Sequence, residues 1–376
     1  MKTALKKTTA LLLAVICMLS ALTLGAFAMD EVYLNVADFV APNTGEDVAD
    51  ALQQLIEDNP NRTLFFADGE YMVSKPLCTP ADPRRSVSLK LADFAVLKAT
   101  GDWEPGQAVV RLGAIYPAND THTNGSNYSF EGGIIDGSGV ADGISIDGGR
   151  ETMVRSVSIK HTVVGLHILY GANGGSSDAD IHSLNIIGTG TTDSIGILIE
   201  GYDNTLSNVR IGYVYTGVQV KSSGNHLQNI HPLYYSDYTD YVNSCGFLDE
   251  GGSNWFDFCY SDQFGTAFRT TTNRTSIFHD CFCYWYSSDG DTHIAFRADK
   301  QFNSVLTNFT ADLPSEKNNY MLLTGGSSGT GVISNPTVQD TTGANAVYLS
   351  YTQNFPLLLR LALRLVGLVE LAFIRL

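Results

Sequence analysis

One short unit recurs along the middle of this chain: a Gly or Ala, an apolar residue, an arbitrary residue and a second apolar residue. Gly143-Ile144-Ser145-Ile146, Gly165-Leu166-His167-Ile168, Gly196-Ile197-Leu198-Ile199 and Gly217-Val218-Gln219-Val220 are the clearest copies. Gly246-Phe247-Leu248, Ala267-Phe268-Arg269 and Ala295-Phe296-Arg297 continue the series, and the steps between copies are 22, 31, 21, 29, 21 and 28 residues. A second kind of strand lies between them, at Val157-Ser158-Ile159, Leu184-Asn185-Ile186, Val209-Arg210-Ile211 and Leu227-Gln228-Asn229-Ile230. Alternation with a period of two turns the flanking apolar residues inward and the middle residue outward. A single coil of this kind has nothing to bury its apolar side against, so the coils must stack, and irregular steps of this size predict a β-solenoid. Leucine-rich repeats have similar periods, but their L-x-x-L-x-L-x-x-N signature is absent.

Composition agrees with that reading and excludes others. At 376 residues the chain is long enough for a large core, and at 44% hydrophobic residues it is too apolar for disorder. Its 36 glycines favour many short strands joined by tight turns. A net charge of −16, from 23 Lys+Arg against 39 Asp+Glu, argues against nucleic-acid or anionic-membrane partners.

The two ends differ from the middle. Lys2, Lys6 and Lys7 precede an apolar run from Ala10 to Leu24, followed by Ala26-Phe27-Ala28. This is the pattern of a secretory signal over residues 1–28, and it predicts a secreted, extracellular protein. The run is shorter than the ~18 residues that an integral membrane span requires. Residues 29–354 are then expected to form the solenoid. Thr44 with Asp47 supplies an N-cap for a helix carried by Val48, Leu52, Leu55 and Ile56 and ended at Asn59-Pro60, which is expected to cap the stack. Strands follow at Thr63–Phe66 and Tyr71–Val73, turned at Asp68-Gly69. Residues 355–376 read as an apolar amphipathic tail, with nine Leu between Leu357 and Leu376, and suit a C-terminal cap, an interfacial helix or a non-native end.

The stretch Asn35-Val36-Ala37-Asp38-Phe39, the helix after it, the segment Arg62-Thr63-Leu64-Phe65-Phe66-Ala67-Asp68-Gly69-Glu70-Tyr71-Met72-Val73, and Gly132-Gly133-Ile134-Ile135-Asp136-Gly137 together resemble the pectate-lyase superfamily. The resemblance implies an all-β, right-handed parallel β-helix, and a protein that cleaves or binds polysaccharide. It implies no particular reaction, because this architecture carries lyases, hydrolases, epimerases and non-catalytic adhesins. Of the motifs of polygalacturonase-type hydrolases, Thr191-Thr192-Asp193 is a partial echo of one, and the others are missing.

The residues offer their own candidates. Tyr235-Ser236-Asp237, Tyr260-Ser261-Asp262 and Tyr286-Ser287-Ser288-Asp289 recur at steps of 25 and 27 residues, within the length of a coil. In register, Asp237, Asp262 and Asp289 would stack ~4.8 Å apart, near the carboxylate spacing of retaining glycosidases. Tyr235, Tyr260, Tyr286 and Trp285, beside Trp255, would add flat surfaces for sugar rings. The same segments also suit plain solvated turns, or a Ca2+ site made from the carboxylates. Arg269 and Arg297 are the outward residues of successive copies and suit the carboxylates of a uronate polymer, or pairing with acids such as Asp299. For elimination, Arg269, Lys300, Tyr260 and His279 are possible bases. The expectation is therefore a glycosidase or lyase acting on acidic, pectin-like polysaccharide, with a non-catalytic carbohydrate-binding solenoid as the alternative. Of the cysteines beyond the signal, Cys259 and Cys283 lie 24 residues apart in Phe-Cys-Tyr segments and would stack as a disulfide or as a reduced ladder.

Overall fold

Every Gly/Ala-apolar-x-apolar copy is a strand of one 11-stranded parallel sheet. Its strands include Ala108–Ile115, Asp142–Ile146, Val164–Ile168, Ile195–Ile199, Thr216–Val220, Cys245–Asp249, Thr266–Thr270 and His293–Ala298. The inward residues stack in register: Val110 on Ile144, Leu166, Ile197, Val218, Phe247, Phe268 and Phe296 in turn. The computed structural model describes residues 33–115, 129–170, 176–234, 241–285, 292–313, 319–326, 329–340 and 348–351. From Asn35 onward they belong to one unit. The expected signal and tail lie outside the described residues.

The small residue that opens each copy has a steric cause. A Cβ on Gly196 would sit 2.5 Å from the Gly217 carbonyl oxygen, and one on Gly165 would sit 2.6 Å from that of Gly196. Gly143 and Gly217 meet the next coil at 2.4 Å in the same way. Here the chain turns so sharply into the sheet that backbone approaches backbone, and a side chain has no room.

Two further strands complete each coil, giving three faces. Strands such as Met153–Arg155, Asp180–His182, Trp255–Asp257 and Ile277–His279 form the first face. Ser158–Thr162, Asn185–Gly188, Tyr260–Asp262 and Phe282–Tyr284 form the second, and the 11-stranded sheet is the third. Thr205–Gly212 and His226–Leu233 run through the corner between the first two faces. Arg62–Phe66 and Gly69–Val73, read from the sequence as a hairpin, instead pair in parallel with Val87–Leu91 and Ala95–Ala99 on separate faces. Asp68-Gly69 is a coil corner, because stacking with the next coil satisfies both strands.

From Ser156 onward each first corner is turned by one residue in the left-handed region: Ser156, Ser183, Asn208, Asn229, Phe258, Asp280, Asn308 and Asn335. Asn and Asp adopt this conformation at the lowest cost after glycine. Inside the corner between the third and first faces a second ladder is buried. Asn225 Oδ1 accepts from the backbone N of Asn204 at 3.1 Å and from its Nδ2 at 2.9 Å, and Asn254 Oδ1 accepts from the Asn225 backbone N at 2.9 Å. These amides tie three coils by satisfying backbone groups that would otherwise be orphaned in the core. Aromatic side chains fill the later coils, with Phe247 stacked on Phe268 at 4.8 Å and Phe256 on Phe278 at 4.5 Å.

The helix Ala49–Asp58 buries Ala49, Leu52 and Ile56. Its Gln53 exchanges hydrogen bonds with the backbone of Cys78, on the outermost strand of the third face. Val48, with no side-chain bond, occupies the N-cap, while Asp47 Oδ1 accepts from the Ala49 N–H at 3.1 Å.

Candidate functional site

The middle residues of the repeat copies form one outward row across the third face. Arg111 lies beside Ser145, then His167, Leu198, Gln219, Leu248, Arg269 and Arg297. Two residues further along four of these strands come Asp147, Glu200, Lys221 and Asp299, which face the same way. The row is recessed at its start: Ser145 is 3% exposed and Asp147 4%.

Neighbouring coils pair the charges. Arg111 holds Asp147 through Nε at 3.0 Å and through Nη2, and Ser145 Oγ donates to the same carboxylate. His167 Nε2 lies 3.1 Å from Glu200 Oε2, and Lys221 Nζ lies 3.1 Å from Glu200 Oε1. Gln219 donates to Glu250 at 2.8 Å. Burial works against the charge of Glu200, but the hydrogen bonds of Lys221 and His167 outweigh it and hold the carboxyl below its ordinary 4.5. Burial pushes the His167 imidazole below its ordinary 6.5, against the pull of Glu200. Glu200 is therefore ionised beside a neutral imidazole, and the proton of that imidazole sits on Nε2, the nitrogen facing the carboxylate. The Nδ1 lone pair is left to accept a proton, which is the arrangement of an oriented general base.

Arg269 and Arg297 are direct neighbours, as the sequence suggests. Asp299 joins them: its Oδ2 accepts from Arg269 Nε at 3.0 Å and Nη2 at 2.6 Å, and its Oδ1 accepts from Arg297 Nε at 2.6 Å. Two guanidiniums share one carboxylate, so the group keeps one net positive charge on a strongly acidic chain.

The aspartate ladder does not form in the strand register. Asp262 stands opposite Leu233 on one side and Tyr284 on the other, because these coils step by 29 and 22 residues. Asp237, Asp289, Tyr235 and Tyr286 lie outside the described residues. Asp262 is on the second face, with Tyr260 Oη 3.3 Å and His231 Nε2 3.7 Å from its Oδ2. Tyr260 has no open ring face to offer: His231 stacks on it at 4.1 Å, and Phe282 lies against it at 5.0 Å. Burial, and then Asp262, push its phenol pKa well up, so it stays protonated and is no base. Trp285 is wholly buried, with Nε1 donating to the Phe264 carbonyl at 2.7 Å, so its indole is core and not a sugar platform. Cys283 stands opposite Ser261, and the neighbour of Cys259 is Cys281, one 22-residue coil away; all five described cysteines are free thiols. Among the described residues no group of three or more His, Cys, Asp or Glu is arranged to hold a metal, and no helix is long and apolar enough to cross a membrane.

Sequence reasoning misses Arg111, Asp147, His167, Glu200 and Lys221. The signal is present nonetheless: His167 is the middle residue of a copy, and Asp147, Glu200 and Lys221 each follow a copy by one residue.

Solved structures share this architecture. The tailspike protein of E. coli bacteriophage HK620 superposes with a TM-score of 0.63 at 10% identity, over 86% of this chain and 65% of that one. The endo-xylogalacturonan hydrolase of Aspergillus tubingensis gives 0.58 at 15% identity, over 80% and 92%. A Geobacillus virus E2 protein, ORF18, gives 0.57 at 14% identity, over 85% of this chain and 63% of its own length. This chain shares the right-handed parallel β-helix fold of these structures. It spans less than two thirds of both viral proteins. No family model and no curated protein matches the sequence.

Proposed function

We propose that this β-helix is an exported protein that binds an acidic polysaccharide along its third face and cleaves it there. The observation that carries the proposal is the neutral His167, held by an ionised Glu200, in the same outward row as the Arg269–Arg297 pair. The arginines, with the one net charge that Asp299 leaves, recognise a uronate carboxylate through their guanidinium forks. His167 Nδ1 takes the C5 proton beside such a carboxylate while Lys221 supplies positive charge near it. The electron pair left behind forms the C4–C5 double bond, the C4–O bond to the neighbouring sugar breaks, and the imidazolium returns its proton to the departing oxygen. Elimination is favoured over hydrolysis because one imidazole, acting as base and then as acid, completes it, whereas hydrolysis needs a pair of carboxyl groups with one protonated, and Glu200 stays ionised. A second reading, non-catalytic binding, is favoured by the ion pairing of Asp147, Glu200 and Asp299 on this face.

The test is affinity electrophoresis in gels containing polygalacturonate or alginate, with product absorbance followed in parallel. Wild type is expected to be retarded and to release unsaturated product. Replacing both Arg269 and Arg297 with Ala is expected to abolish the retardation. Retardation unchanged in that variant would overturn the assignment of the site, and retardation without any product would establish the non-catalytic reading.

A further inference from the structure

On the first face, one coil departs from the rule that governs the other coils from Ser156 to Asn335. The corner residue in the left-handed region is Ser, Asn or Asp at 156, 183, 208, 229, 280, 308 and 335, but at 258 it is Phe, with φ 53°. An aromatic side chain with a positive φ is uncommon and costly, because its Cβ crowds the following carbonyl. The coil gives up a contact as well. Asn229 Nδ2 donates to Asn208 Oδ1 at 2.8 Å, and the ladder resumes with Asn308 to Asp280 and Asn335 to Asn308, each at 2.8 Å, but Phe258 has no group to continue it. The residue nonetheless stays more than half exposed, at 55%. Three residues earlier Trp255 points outward from the same face and is 43% exposed. A residue that costs conformational energy, breaks a ladder and stays in water marks a functional position.

The polar groups around these rings define what they would take. Asp257, between Trp255 and Phe258 in the chain, accepts from His226 Nε2 at 2.6 Å and lies 3.8 Å from His279 Nδ1. His279 meets the Phe258 ring edge to face at 6.1 Å and lies 3.3 Å from Asp280. From Thr205 to Ser334 the outward rows of this face carry one carboxylate, Asp257, and two histidines, His226 and His279, but no Lys or Arg. Exposed aromatic faces beside carboxylates suit a pyranose ring, whose C–H face stacks on the aromatics while its hydroxyls donate to the acids. A uronate would bring its own negative charge to Asp257 and Asp280, and the strand rows of this face offer no Lys or Arg to meet it.

We propose that Trp255 and Phe258, with Asp257 and Asp280, form a second glycan-binding site, on the first face, specific for uncharged sugars. It stands apart from the acidic-polysaccharide site of the third face and does not depend on that assignment. The test uses affinity electrophoresis of the full chain in gels containing β-1,4-glucan, α-1,4-glucan or β-1,4-galactan, with sedimentation and thermal unfolding of the same samples. Wild type is expected to be retarded by at least one neutral glycan. F258N and W255A are expected to weaken that binding about tenfold or more, the loss of one stacking ring, while R269A leaves it unchanged. F258N restores the corner residue of the other coils, so its unfolding midpoint is expected to rise, which separates loss of binding from loss of fold. The proposal is overturned if no neutral glycan retards wild type, or if F258N binds as wild type does. It is equally overturned if F258N turns an oligomer into a monomer, which would assign the rings to a contact between copies.

Discussion

Truncating Asn225 to Ala attacks the β-helix at a buried contact that ties three coils together. The Asn225 side chain is wholly buried, and so are its partners Asn204 and Asn254. Its Oδ1 accepts two hydrogen bonds from Asn204, one from the backbone and one from the side chain. Its Nδ2 donates to Ser222 Oγ at 3.0 Å and to Asn254 Oδ1 at 3.2 Å. The substitution leaves both Asn204 donors without a partner in the core. At about 1–3 kcal/mol for each stranded buried group, the loss is about 3–5 kcal/mol, beyond the usual range for a single substitution. The matched control is Asn229→Ala, which removes one exposed ladder bond and a favourable left-handed residue and costs about 1 kcal/mol. Equilibrium unfolding in guanidinium chloride, followed by tryptophan fluorescence and by far-UV circular dichroism, measures both. Coincidence of the two probes checks that the stacked coils unfold together. Equal losses from the two variants, or a loss below 1 kcal/mol for Asn225→Ala, would refute the claim that the internal ladder holds the coils in register.

Three other expectations follow from single contacts. Gly196→Ala places a Cβ 2.5 Å from the Gly217 carbonyl oxygen and 2.5 Å from Ile211 Cγ2, and should lower stability by about 1–3 kcal/mol in the same unfolding assay. Burial, with a smaller contribution from Asp193, raises the Asp142 carboxyl from 3.8 to about 6. The folded state thus binds the proton more tightly than the unfolded chain, so the stability from this group is complete below pH 3.8 and is lost as pH rises through about 6. Asp142→Asn, which keeps the acceptor for the Val164 N–H, should add up to about 3 kcal/mol at pH 7 and flatten the pH dependence of unfolding between 4 and 6. For His167, lowered below 6.5, the neutral form that accepts a proton persists as pH falls through 6.5, so the acid limb of any pH–rate profile should lie below that value and be absent from His167→Gln.

The architecture was legible because it rests on a local rule. The Gly/Ala-apolar-x-apolar unit states both the inward stack and the close backbone approach, and both survive irregular coil lengths. The same rule places Arg269 beside Arg297. The aspartate ladder and the stacking of Cys259 on Cys283 fail for the opposite reason. They assume that similar short segments occupy similar places, whereas the step between coils varies and register is fixed by backbone pairing, which puts Leu233 and Tyr284 beside Asp262. Trp285 shows another limit: an aromatic near a polar segment reads as a platform, but only the structure turns it into the core. His167 and Glu200 come from successive coils, 33 residues apart. Their pairing needs the step from one coil to the next, which the sequence states only once the register is known.

The central claim is that the third face cleaves acidic polysaccharide with His167 as the base. Its most direct test is the rate of unsaturated product release from polygalacturonate and alginate by wild type and by His167→Gln, with both proteins shown to be folded and retarded equally in gels containing those polymers. Release by wild type and a loss of about a hundredfold or more in the variant is the expected result. Release at an unchanged rate by His167→Gln, or new reducing ends without unsaturated product, would contradict it.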